Sequence, residues 1–123
     1  MQLTIEKGLA PVLLDIEFTQ DTLLVRPGGE LDLSVADFLR NNLEESLDRE
    51  SARNIVFNLS KVSFVDSSVL GVLLGRYKRV SKNGGSVIIV SPQPQVRRIL
   101  ELSGLFRIMG ESDSEAEALR KLG

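Results

Sequence analysis

The chain has 123 residues, 42% hydrophobic and 26% charged, with a net charge of −2, the profile of one globular domain that can bury a core without metal or disulfide support. It contains no Cys and no His, which excludes a disulfide framework, a redox centre, a zinc site of the usual kind and a Ser-His-Asp hydrolase. Its 15 basic residues are scattered rather than clustered, which argues against nucleic acid as a direct partner, and no apolar run approaches the ~20 residues of a membrane span.

Residues 1–11 read as an extra strand or a loose N-terminal arm, and residues 12–123 as the domain proper. Glu6 and Lys7 interrupt any secretory-type apolar run, so the expected location is the cytoplasm. Residues 12–18 alternate with Leu14, Ile16 and Phe18 on one face, which predicts a strand. A turn at Thr19, Gln20 and Asp21 leads to a second strand over residues 22–26, and the two make a hairpin. Pro27, Gly28 and Gly29 break the pattern. Ser34 then reads as a helix N-cap, followed by Val35, Phe38, Leu39, Leu43 and Leu47 at helical spacing.

Residues 54–59 predict a buried strand, and a largely buried helix is expected over residues 67–81. Residues 86–90 predict another buried strand, and residues 94–103 a helix closed by Gly104. A short strand is expected at residues 106–109, then a last helix opened by Ser112 with Ala116, Leu119 and Leu122 inward. This alternation predicts a single α/β domain, with a mixed, largely parallel β-sheet covered by about four helices.

The informative segment is Val65-Asp66-Ser67-Ser68-Val69-Leu70-Gly71. It places Ser67 at or beside a helix N-terminus, where free N–H groups and the helix dipole favour an anion, including a phosphate on the serine itself. The residue types equally suit simple capping, since Asp and Ser are common N-caps. Glu30 and Asp32 have two readings as well: loop solvation with helix entry, or an acidic loop that receives basic partner residues. Gly71 and Gly75 read as close helix packing rather than a phosphate loop. Arg76, Lys78, Arg79 and Lys82 read as the solvated helix end.

The run from Phe64 to Lys78, together with Gly29-Glu30-Leu31-Asp32 and Leu102-Ser103-Gly104-Leu105-Phe106, resembles the STAS-domain anti-sigma factor antagonists, and the sporulation members above all. The sporulation members carry glycine where this chain has Val69. The resemblance implies a regulator rather than an enzyme, with no catalytic residue and no cofactor. It implies phosphorylation on Ser67 by an anti-sigma factor that is itself a protein kinase, and reversal by a serine phosphatase. The unphosphorylated form would bind the anti-sigma factor and free the sigma factor. Glu30, Asp32, Asp66, Ser68 and Val69 are the expected partner-binding residues. The free chain is expected to be a monomer.

Three other functions compete with this one. A serine nucleophile would need a Lys base, and no Ser-x-x-Lys pattern accompanies Ser67. An aspartyl-phosphate receiver at Asp66 lacks the acidic pair after the first strands. A STAS scaffold or binding module in a stress-signalling complex stays open as the alternative.

Overall fold

The computed structural model describes residues 1–6 and 10–123; Lys7, Gly8 and Leu9, part of the expected arm, lie outside the described residues. The elements are β1 (Gln2–Ile5), β2 (Val12–Thr19), β3 (Thr22–Leu31), α1 (Leu33–Glu50), β4 (Asn54–Asn58), β5 (Lys61–Val65), α2 (Ser67–Ser81), β6 (Val87–Val90), α3 (Pro94–Leu102), a 3-10 turn (Leu105–Arg107), β7 (Gly110–Ser112) and α4 (Glu115–Leu122). They form one mixed sheet in the order β1-β2-β3-β4-β6-β7, with β5 beside the second half of β3. The β1–β2 and β2–β3 pairs are antiparallel, and the β3–β4, β3–β5, β4–β6 and β6–β7 pairs are parallel. The expected α/β class with a largely parallel sheet and four helices is therefore what the chain adopts. No helix among the described residues is long and apolar enough to cross a membrane.

Strand alternation divides the core. Leu23, Val25, Ile55, Phe57, Val87 and Ile89 face α1, α2 and α3, whereas Leu24, Val56, Ile88 and Val90 face Ala118, Leu119 and Leu122 of α4. This explains why β6 and the centre of β4, Ile55 to Phe57, are apolar: each is covered on both faces. Polar pairing adds to the seat of α4. Arg26 on β3 makes two 2.8 Å bonds to Glu115, one 2.8 Å bond to Asp15 and one 3.1 Å bond to Glu17. The bidentate pair, with Asn58 also donating to Glu115 at 2.8 Å, holds Glu115 below the usual carboxylate range.

Several expectations are corrected. The Pro27-Gly28-Gly29 run does not end its strand; β3 continues to Leu31. Pro27 falls where β3 hands over from β4 (last pair Val25–Phe57) to β5 (first pair Gly28–Lys61), so its missing N–H breaks no parallel ladder. Gly29 has φ +103° at a bulge, and a Cβ there would lie 3.0 Å from the Pro11 carbonyl oxygen. Strand β5 is absent from the sequence reading because only Val62 and Val65 of its five residues are buried, a spacing that hides the period of two. Residues 106–109 are not a strand: Leu105–Arg107 is a 3-10 turn and the strand comes at Gly110–Ser112. The last helix is capped by Ser114 rather than Ser112, and Ala118 is its buried position while Ala116 is exposed.

The two helices that frame the candidate site start side by side, because their preceding strands pair at Leu31 and Val65. Asp32, not Ser34, is the N-cap of α1, and its Oδ1 accepts from the Ser34 N–H at 2.9 Å. Asp66 is the N-cap of α2. Its Oδ1 accepts from the N–H groups of Ser68 (3.0 Å) and Val69 (3.3 Å) and from the Ser68 hydroxyl. Its Oδ2 accepts from the N–H of Leu33, the first residue of α1, at 2.9 Å. One carboxylate thus satisfies orphan donors of both helices. The Ser68 hydroxyl, together with the N–H groups of Val69, Leu33 and Ser68, holds Asp66 below the usual carboxylate range, against the opposing effect of partial burial.

Three outcomes follow for stability. A Cβ at Gly85 would meet the Arg53 carbonyl oxygen at 1.8 Å, so Gly85→Ala is expected to lower urea-unfolding stability by about 3 kcal/mol or more. Gly71→Ala, whose Cβ meets nothing within 4 Å in mid-helix, is expected to raise it by up to about 1 kcal/mol. Asp66→Asn keeps a capping oxygen for α2 but replaces the acceptor of the Leu33 N–H with an amide donor, and is expected to cost about 1–2 kcal/mol at pH 7. Because the folded state depresses the Asp66 pKa, its contribution is complete above the ordinary carboxylate value and is lost as pH falls through the lower folded one. The gap between wild type and Asn variant should therefore narrow below about pH 4, a trend that urea titrations at a series of pH values would follow.

Candidate functional site

The parallel pair Leu31–Val65 brings the C-terminal ends of β3 and β5 together, so the residues that follow each strand share one surface. Glu30 and Asp32 come from the first strand end, and Asp66, Ser67 and Ser68 from the second. The sequence-predicted residues are accordingly gathered in one place, but they do different things.

Ser67 is the first residue of α2 and is exposed, and its hydroxyl has no hydrogen bond among the described residues. The neighbouring Ser68 is half-buried, and its hydroxyl donates to Asp66 Oδ1. Of the two serines, only Ser67 presents an uncommitted oxygen to solvent. The helix start beside it supplies a partial positive charge, although two first-turn N–H groups are already held by Asp66.

The acidic residues separate in the same way. Glu30 is exposed and has no ion-pair or hydrogen-bond partner among the described residues. Asp32 holds the start of α1 through Ser34, whose N–H and hydroxyl bond its Oδ1 at 2.9 and 2.6 Å. Asp66 has both oxygens committed to the two helix starts. Val69, grouped by sequence with the contact residues, is 1% exposed and packs in the core with Leu31, Val65, Val72 and Leu73. Its side chain points away from the surface that carries Ser67, so it shapes the seat of α2 and does not crowd an approaching protein.

Further along α2, Gly71 and Gly75 do not mediate close packing within the chain, since a Cβ at either would meet nothing within 4 Å. Arg76 is not part of the solvated helix end. It is buried between α1 and α2, with Nη2 3.4 Å from Glu44 and with Nε and Nη1 lacking hydrogen-bond partners. Arg79 takes the stronger pairing, at 2.5 Å to both Glu44 and Asp48. Burial pushes the Arg76 guanidinium below its ordinary value.

Two residues of the site escaped the sequence reading. Leu33, first in α1, is 73% exposed, and Phe64 on β5 is 44% exposed. An apolar residue normally signals burial, so nothing in the pattern marked these two as surface. A groove of about 270 Å³ lies elsewhere, lined among others by Leu13, Asp15, Arg26, Gly28 and Lys61 and by none of the sequence-predicted site residues.

Comparison with known proteins agrees with this architecture. The family model for the STAS domain matches residues 14–118. The chain is 40% identical over 109 residues to the anti-sigma F factor antagonist of Paenibacillus polymyxa, covering 89% of this chain and 93% of that one. It is 34% identical over 98 residues to an anti-sigma-B factor antagonist of Staphylococcus aureus, covering 78% and 90%. The phosphorylated form of the Bacillus cell fate determinant SpoIIAA superposes with a TM-score of 0.72 at 29% identity, over 89% of this chain and 99% of that one. Family model, sequence and fold agree, and the chain belongs to the STAS-domain family, alongside the anti-sigma factor antagonists.

Proposed function

We propose that the chain is an anti-sigma factor antagonist whose unphosphorylated form binds a kinase-type anti-sigma factor in the cytoplasm and so frees a sigma factor. Phosphorylation of Ser67 by that partner switches the chain off, and a serine phosphatase restores it. The chain acts as substrate and binding module rather than as an enzyme, and it is a monomer when free. The observation that carries the reading is the contrast between the two serines: Ser67 is exposed with no hydrogen bond among the described residues, whereas the Ser68 hydroxyl is tied to Asp66. The names of the relatives from Paenibacillus polymyxa and Staphylococcus aureus support the antagonist role.

The physical basis of the switch is charge placed on a contact surface. A phosphate adds about −1.5 to −2 charge at neutral pH. On the free chain it faces solvent at a helix start, so the fold tolerates it. In a complex it would have to be desolvated beside Asp66, whose carboxylate already holds that helix start. A hundredfold loss of affinity needs only about 2.7 kcal/mol.

Glu30 is the acidic residue best suited to meet a basic partner, because it has no structural bond to break. Asp32 and Asp66 contribute to the surface through the helix ends that they hold.

Two experiments test the reading. Incubation with the cognate anti-sigma factor and ATP, followed by mass spectrometry, should place phosphate on Ser67; Ser67→Ala should stay bound, and Ser67→Asp should bind about a hundredfold more weakly with near-normal stability. Phosphate confined to Ser68, or equal affinity of the two variants, would remove the switch and favour the scaffold role. Glu30→Lys should slow association and flatten its salt dependence without shifting the melting curve; an unchanged association rate would place Glu30 outside the interface.

A further inference from the structure

We propose that Leu33 and Phe64 are the apolar anchors of the surface around Ser67, and that they dock into an apolar pocket, rimmed by basic side chains, on the kinase-type anti-sigma factor. The inference rests on the partner-switching reading above. It adds the residues from which that interface would draw its affinity.

Leu33 is 73% exposed at the first position of α1, and Phe64 is 44% exposed on β5. Leu33 gains little from an apolar side chain within the free molecule, since a helix start favours Pro, Ser, Asp or Glu, and Phe64 leaves 44% of its surface in solvent. Both are tied to the candidate site by backbone geometry. The N–H of Leu33 is bonded to Asp66 Oδ2 at 2.9 Å, which fixes it beside the cap of the Ser67 helix. Phe64 is the register partner of Glu30 and lies two residues before Asp66.

The surroundings indicate the occupant. Glu30 is the register partner of Phe64, and the helix starts at which Leu33 stands are capped by Asp32 and Asp66, so the segment around these two side chains is acidic. An apolar centre within an acidic rim is the complement of an apolar pocket within a basic rim, and large side chains filling a central pocket carry most of the energy of such contacts. The arrangement also couples to the switch. A phosphate on Ser67 would hold its hydration shell next to Leu33 and keep the anchor wet, so the modification would act on the part of the interface with the most affinity to lose.

The test uses Leu33→Gln and Phe64→Thr, which keep helix and strand propensity and carry no charge. Phe18→Ser is the control: it is 38% exposed and pairs with Leu23 at the other end of β3, roughly 25 Å from Leu31 at strand rise. Binding of each purified chain to the cognate anti-sigma factor is measured by surface plasmon resonance, with melting curves alongside. Leu33→Gln and Phe64→Thr should each weaken binding about tenfold or more, through faster dissociation and with the salt dependence of wild type, and Phe18→Ser should bind as wild type does. If Phe64→Thr melts early, the affinity of Leu33→Gln alone decides between anchor and bystander. Wild type that binds while the anchor variants match it overturns the anchors and leaves the antagonist reading standing. Wild type that does not bind overturns both.

Discussion

The carboxylate of Asp66 is the contact on which the functional surface depends. Helices α1 and α2 each begin with N–H groups that no intrahelical carbonyl can satisfy. Because β3 and β5 pair at Leu31 and Val65, both helix starts emerge at the same end of the sheet. Asp66 spans them, with one oxygen for Ser68 and Val69 and the other for Leu33. Exposed Ser67, exposed Leu33 and the acidic residues of the preceding turn are held together through this single group. Removing it would free two helix ends at once, whereas an ordinary cap serves one.

The same contact explains a division of labour among residues that look alike in the sequence. Two adjacent serines differ because one hydroxyl is drawn to Asp66 and the other is left facing solvent. Three acidic residues differ because Asp32 and Asp66 hold helix starts and Glu30 holds nothing among the described residues. Residues engaged in structure resist change of charge, and those left over are available to a partner. The Ser67 hydroxyl makes no hydrogen bond among the described residues, so a change at this oxygen breaks none.

The rest of the molecule supplies a rigid platform. The sheet buries apolar side chains on both faces, with α1 to α3 on one side and α4 on the other. Ion pairs fasten both layers: Arg26 on β3 to Glu115 of α4, 89 residues apart, and Arg97 of α3 to Glu111 of β7, with the Arg97 guanidinium 5.1 Å over the Phe106 ring. Strand β5 is fastened as well, because Gln95 donates to the Ser63 carbonyl oxygen at 3.1 Å and Gln93 to that of Ser60, just before the strand, at 2.9 Å. Such bonds occupy acceptors that would otherwise invite another strand.

By itself the sequence determined the class of the fold, the elements with clear periodicity and the place where α2 begins. Helix Ser67–Ser81 and the buried strands β4 and β6 were legible because each element records its own burial in its spacing of apolar residues. The resemblance of Asp66-Ser67-Ser68 to an antagonist motif was legible for the same local reason. Only the tertiary structure decided the features that depend on residues distant in the chain. Strand β5 exists because β3 continues through a bulge at Gly29 and offers it an edge. Asp66 is a clamp because Leu33 arrives beside it, Val69 is core because Leu31 and Val65 lie beneath it, and Arg76 is buried because α1 covers it. Leu33 and Phe64 keep 73% and 44% of their surface in solvent because the elements around them cover them only in part. Periodicity reports which face of an element is apolar, but what lies against that face is set by chain pairing over tens of residues, and that pairing decides which groups are left for a partner.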